Sequence, residues 1–242
     1  MAETRKIVLA LAEGGADLIE LGIPFSDPLA DGPTIQWASA EALRRGVTMR
    51  AVFETVRMLR RSTDVPLVAM AYANPLYRYG LSGFCQDAVR AGFDGVIVPD
   101  LPPEEAGALI RSARPARLAT IFLAAPTSPP DRLRRIAACS TGFIYCVSLT
   151  GVTGARRTLP RDITAQLATL RRTTRLPLAV GFGVSTPAQV RWLAGIADGV
   201  IVGSAIVNVI TKARGRRGLA ARVARFVRPL ALATRRKRML PR

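Results

Sequence analysis

Seven short runs of apolar and β-branched residues alternate with longer amphipathic ones along this chain, and that alternation restricts the fold more than any other feature. The short runs read as strands at 16–21, 66–71, 95–98, 118–123, 142–147, 178–180 and 199–202. Between them, apolar residues recur at helical spacing at 36–45, 51–61, 82–91, 104–113, 131–138, 162–172 and 187–194. Ser82, Ser128-Pro-Pro and Ser185-Thr-Pro mark helix starts. Strands separated by helices imply a parallel sheet with right-handed crossovers. Strands that are apolar throughout imply burial on both faces.

An open doubly wound sheet and a (β/α) barrel both satisfy this pattern, and two observations favour the barrel. Polar residues and glycines cluster just past the C-terminal ends of at least five strands, where a barrel keeps its active site. The last two units also carry glycines placed as a phosphate site. At 242 residues the chain fits one such domain, which needs roughly 250. With seven strands recognisable, the expected class is a (β/α)8 TIM-type barrel whose first strand is missing. No linker interrupts it, so residues 1–227 read as one domain and 228–242 as a basic tail.

Composition excludes several functions. Residues 212–242 carry 12 of the chain's basic side chains and no acidic one, against a net charge of +18 for the whole. No aromatic residue interleaves the tail at 228–242, so it reads as a solvated basic surface rather than a nucleic-acid site. No apolar stretch approaches the roughly 20 residues that span a bilayer, and the first residues have no signal-peptide run. Cys85, Cys139 and Cys146 lack metal-ligand spacing and read as reduced thiols, so a cytoplasmic protein without a metal is expected. Histidine is absent, so acid–base chemistry near neutrality falls to carboxylates, Tyr, Lys or Cys tuned by burial.

The densest signal is Ile19-Glu-Leu-Gly-Ile-Pro-Phe-Ser-Asp-Pro-Leu-Ala-Asp-Gly-Pro-Thr-Ile-Gln36. Period-2 alternation puts Leu18 and Glu20 on one face of a strand buried on both, so Glu20 is a carboxylate in apolar surroundings. Such a group holds and releases a proton near neutrality, unless a lysine or arginine pairs with it as a structural salt bridge. Pro24, Pro28, Gly32 and Pro33 then build a rigid loop that displays Asp27 and Asp31. Loop aspartates also serve as turn formers and helix caps. Gly181-Phe-Gly183 and Gly203-Ser204 follow consecutive strands. Glycines there admit backbone N–H groups to an anion, and a helix opening at Ser204 adds a favourable dipole. Taken singly, each pair fits a tight turn equally well.

The Ile19–Gln36 run resembles the signature of the tryptophan synthase α-subunit family. The resemblance continues in order through Tyr72-Ala-Asn74, Val98-Pro-Asp-Leu-Pro102, Ala125-Pro-Thr-Ser128, Ser148-Leu-Thr-Gly-Val-Thr-Gly154, Gly181-Phe-Gly183 and Gly203-Ser204. It implies a lyase that splits indole-3-glycerol phosphate into indole and glyceraldehyde 3-phosphate by retro-aldol cleavage, in the last steps of L-tryptophan biosynthesis. Glu20 would shuttle the proton, Asp31 would hold the indole N–H, and Tyr145 would line the site, with core packing as its other reading. Gly154, Gly183, Gly203 and Ser204 would bind the substrate phosphate. Tyr72 would belong to the pocket, and Thr153, in a glycine-rich loop read as a lid, would meet Asp31. Asp27 and Pro28 would face a β subunit that holds pyridoxal phosphate, within an α2β2 heterotetramer; this chain would need no cofactor of its own.

The resemblance also implies a helix and a strand ahead of the first residue. Either the recorded start lies downstream of the true one, which is the expectation, or the chain is a seven-stranded remnant. Such a remnant would be weakly active, or would only bind and activate the β subunit. A Schiff-base aldolase is disfavoured, since Lys6, Lys212 and Lys237 are the only lysines and none stands at a strand end.

Overall fold

The computed structural model describes residues 1–147, 161–181 and 183–235. Thr153, Gly154 and the rest of the expected lid lie outside the described residues. Seven strands run in chain order: β1 (Ile19–Gly22), β2 (Leu67–Met70), β3 (Gly95–Ile97), β4 (Ala119–Ala124), β5 (Ile144–Val147), β6 (Leu178–Gly181) and β7 (Gly199–Ile201). The helices are α1 (Ala2–Glu13), α2 (Pro33–Arg44), α3 (Met49–Leu59), α4 (Ala73–Tyr79), α5 (Leu81–Ala91), α6 (Gly107–Ala116), α7 (Pro130–Cys139), α8 (Arg161–Thr173), α9 (Pro187–Ala194), α10 (Ser204–Ala213) and α11 (Leu219–Thr234).

Each strand pairs in parallel with the next, from β1 to β7. This is the expected (β/α) barrel type with seven strands, a curled sheet left open between β7 and β1. Alternation along the strands sorts their side chains into two cores. Outward-facing residues such as Ile19, Leu67, Val96, Phe122, Ile144 and Val180 pack under the helices. Inward-facing Val68, Ile97, Ile121 and Tyr145 form a second cluster, filled out by Met70, Leu123, Phe143, Val147 and Ile201.

The helical layer closes where the sheet does not, because α1 packs directly against α11. Two glycines make that approach possible. A Cβ on Gly14 would lie 3.2 Å from the Ala224 carbonyl oxygen, and one on Gly15, whose φ is +97°, would lie 2.9 Å from Ala231 Cβ. Only glycine fits so close a contact at a positive φ.

Several boundaries differ from the sequence expectation for local reasons. β1 starts at Ile19 rather than 16, because the turn at Gly14 and Gly15 directs Ala16 N–H back to Leu11 O, and pairing with β2 begins only at Ile19. α6 starts at Gly107, three residues late, after a turn in which Glu105 N–H bonds Pro102 O. Ser82 does not cap α5: Gly80, at φ +90°, holds that position. The domain end expected at 227 falls inside α11, which buries Leu230 and Ala233 and carries the folded part to Thr234. Among the described residues, no helix is long and apolar enough to cross a membrane.

Candidate active site

The β1–β2 register sets Glu20 opposite Val68, an inward-facing residue, so its side chain enters the barrel interior. Glu20 is half-buried as a residue, yet its Oε1 is fully shielded and has no hydrogen-bond partner. Among the described residues no lysine or arginine pairs with it, so the structural salt-bridge reading fails. Loss of hydration without compensation penalises the charged form and pushes its pKa up to about 7.

Asp31 reaches the same region from the loop after β1. Tyr72, buried at the start of α4, donates its hydroxyl proton to Asp31 Oδ2 at 2.9 Å. The same hydroxyl accepts Ala30 N–H at 3.0 Å, so one side chain holds both ends of the loop's tip. Burial raises the Asp31 pKa while the Tyr72 hydrogen bond works against that rise by favouring the anion. The two carboxylates thus sit in unlike environments, one with no donor on its buried oxygen and one with a phenol. That difference sets their proton affinities apart, Glu20 being raised by burial alone and Asp31 by burial that the Tyr72 hydrogen bond opposes.

Tyr145 completes the group. It projects inward from β5, is 9% exposed, and its phenol is pushed well above the usual range by burial first, then by the negative charges of Glu20 and Asp31. Both carboxylates therefore act on one buried hydroxyl that stays protonated. Gly181 makes room for it: a Cβ there would lie 2.6 Å from Tyr145 Oη and 2.9 Å from Ile201 Cβ.

The expected anion cradle stands at the ends of β6 and β7. Gly183 adopts φ +70° and is exposed. Gly203 occupies the position before α10 with no side-chain cap, and Ser204 opens that helix exposed to solvent. A helix start without a capping side chain leaves its first amides free for an anion. Asp27 is exposed beside Pro28, and the neighbouring Leu29 is 89% exposed at the loop tip.

Sequence reasoning missed the parts that hold the loop. Phe25 stacks on Tyr72 with ring centroids 5.4 Å apart. Ser39 Oγ accepts Phe25 N–H and donates to Phe25 O, each at 2.8 Å. Gln36 donates to Asp31 O at 2.8 Å, and Asp100 accepts Ala73 N–H at 2.9 Å beside Tyr72. The apolar walls were recoverable: Ile121, Leu123, Phe143 and Val147 follow the same alternation as Glu20 and, in the structure, Tyr145.

Comparison with known proteins identifies the family. A family model described as tryptophan synthase alpha chain matches residues 1–235. The tryptophan synthase alpha chain of Geotalea daltonii is 48% identical over 213 residues, 88% of this chain and 81% of that one. Its counterpart in Roseiflexus sp. is 54% identical over 205 residues, covering 84% and 78%. Among solved structures, the tryptophan synthase a2b2 complex of Pyrococcus furiosus gives a TM-score of 0.88 at 43% identity, over 95% of this chain and 92% of that one. On the family match, the identities and the shared fold, the chain belongs to the tryptophan synthase α-chain family, the lyases that cleave indole-3-glycerol phosphate.

Proposed function

We propose that Glu20 carries the proton transfers of this cleavage, with Asp31 as its electrostatic partner. The single observation behind this reading is the shielded, unpaired Glu20 oxygen, whose pKa of about 7 leaves both protonation states accessible at neutral pH. The protonated carboxyl delivers its proton to C3 of the indole ring, making the ring a competent leaving group. The resulting carboxylate takes the proton of the glycerol hydroxyl next to the bond. As that oxygen becomes a carbonyl, the C–C bond breaks and its electron pair returns to the ring, releasing indole and glyceraldehyde 3-phosphate. Asp31 accepts the indole N–H and stabilises positive charge on the protonated ring. Tyr145 lines the reacting end, Tyr72 fixes Asp31, and Gly183, Gly203 and Ser204 hold the phosphate, joined by Gly154. Thr153 closes on Asp31 when substrate is bound.

The chain needs no cofactor in this scheme. Its partner is a β subunit that holds pyridoxal phosphate and consumes the indole, in a heterotetramer with two of each chain, as in the Pyrococcus furiosus a2b2 complex. Asp27 and Pro28, on the exposed loop beside Leu29, meet that partner. Three unpaired thiols suit a reducing cytoplasm. Glu20→Gln tests the assignment. Indole release should fall by about 10²–10⁴-fold, with and without β subunit, while glyceraldehyde 3-phosphate still binds in calorimetry. Turnover within tenfold of the parent rejects Glu20 as the proton carrier.

A further inference from the structure

Helices α10 and α11 pack together across the turn at 214–218 and enclose a cavity of about 410 Å³. Helical spacing explains its lining. Val209, Lys212 and Ala213 share one face of α10, and Arg222, Arg225 and Phe226 share one face of α11. Arg216 enters from the turn. The floor is apolar, with Ala213 buried and Val209 and Phe226 half-buried against the outer core. The rim is four exposed cations, and no acidic residue lines the cavity.

Those cations are not neutralised from within. Arg214, in the same turn, pairs with Glu41, whereas Lys212, Arg216, Arg222 and Arg225 make no salt bridge or side-chain hydrogen bond among the described residues. No acidic residue follows Asp198 in the chain. α11 opens at Gly218 with no capping side chain and no acid in its first turn, so the positive end of its dipole adds to the same field. Like charges around an apolar concavity concentrate that field, and an anion relieves it.

We propose that this cavity binds a small organic phosphate with an apolar body, the four cations holding the phosphate head while the body lies on Val209, Ala213 and Phe226. Arginine forks suit phosphate oxygens, and the volume falls in the range of roughly 300–1,000 Å³ of small-molecule pockets. The form of the site selects this occupant. A membrane surface needs apolar side chains that stand proud, and none of the large exposed hydrophobics lines the cavity. A nucleic-acid strand needs aromatic platforms, and Phe226, half-buried, is the one aromatic residue in the lining. The chain's own residues 236–242, with Arg236, Lys237, Arg238 and Arg242 and no acid, are repelled, as is a second copy at net charge +18. The site is distinct from the expected substrate cradle, because Ser204 and Ala213 stand at opposite ends of a 10-residue helix, about 15 Å long.

The test titrates the intact chain with hexyl phosphate while saturating glyceraldehyde 3-phosphate occupies the substrate cradle, reading residue-resolved amide shifts and calorimetric affinity. Shifts should move at Val209, Ala213 and Phe226. Inorganic phosphate and hexanol, which carry head and body separately, should each bind at least about tenfold more weakly. Arg222→Gln combined with Arg225→Gln should weaken hexyl phosphate about tenfold or more, and Lys212→Gln on the facing helix should weaken it independently. Arg217→Gln, which removes an exposed cation of the same turn outside the cavity, should leave affinity within about twofold. These side chains are exposed, so every variant should keep the parent's circular dichroism. Shifts confined to Gly183 and Ser204, equal affinity for inorganic phosphate, or an equal loss in Arg217→Gln would each overturn the proposal. So would capture of phosphatidylglycerol vesicles or an oligonucleotide without binding of hexyl phosphate.

Discussion

The pentapeptide Asp-Gly-Val-Ile-Val occurs twice, and its two copies have different surroundings. At β3, Val96, Ile97 and Val98 are 1%, 0% and 5% exposed. At β7, Val200, Ile201 and Val202 are all half-buried. The local sequence is identical, so the difference comes from neighbours: β3 is flanked by β2 and β4, while β7 has β6 on one side only. The helices repeat the contrast. α3 buries Val52, Phe53, Val56 and Leu59, whereas apolar α10 buries only Ala213 and α2 buries nothing. Burial is thus a property of the assembled wall, and the β7–β1 seam is its unfinished part. Glu20 stands at that seam, and its hidden oxygen depends on the interior cluster rather than on two flanking strands.

The largest expected effect sets the two isoleucines against each other. Ile97→Ala should cost about 3–4 kcal/mol in chemical denaturation, and Ile201→Ala about 1 kcal/mol, since much of that side chain already meets water. Equal costs would erase the distinction between wall and seam. Gly181→Ala asks whether β6 belongs functionally to the wall. The added methyl collides with the Tyr145 hydroxyl and with Ile201, so stability should drop by about 1–3 kcal/mol and indole formation should fall with it. A variant as stable and active as the parent would mean that Tyr145 has room to move. Tyr72→Phe probes the loop that reaches over the seam. Losing one hydrogen bond to a carboxylate should lower kcat/KM roughly tenfold with little change in melting temperature, and steady-state assays on both variants would show any inversion of that order.

The strands and the burial of Glu20 were legible from the pattern of apolar residues. The succession of short apolar runs located all seven strands, and period-2 alternation put Glu20 on one face of a strand buried on both. Which face turns inward is set by the register with β2, and the place of Tyr145 was implied by the resemblance alone. Strand ends were less legible: β1 begins where Ile19 finds Pro66, a partner 47 residues away in the chain. The same limit hid the Tyr72–Asp31 bond and the Phe25–Tyr72 stacking, which join segments with no local signal for each other. Gly181 read as an anion-site glycine, and its steric duty emerges only when the neighbouring strand β5 aims Tyr145 at it. The domain end expected at 227 fell inside α11, where Arg222, Arg225 and Arg228 interrupt the pattern while Val227, Leu230 and Ala233 keep its apolar face.

Whether the seam shelters a proton-holding carboxylate is answered most directly by titrating Glu20 itself. Carbon-13 carboxyl chemical shifts, followed across pH and assigned by their loss in Glu20→Gln, report its midpoint without reference to activity. Protonation should centre near pH 7, where burial without a partner places it. Because a raised folded-state pKa means that the native chain binds the proton more tightly, stability should also decline as pH climbs from about 4.5 through 7. A midpoint near the ordinary 4.5 of a hydrated glutamate would show that water reaches the carboxylate and would contradict its role as the proton carrier.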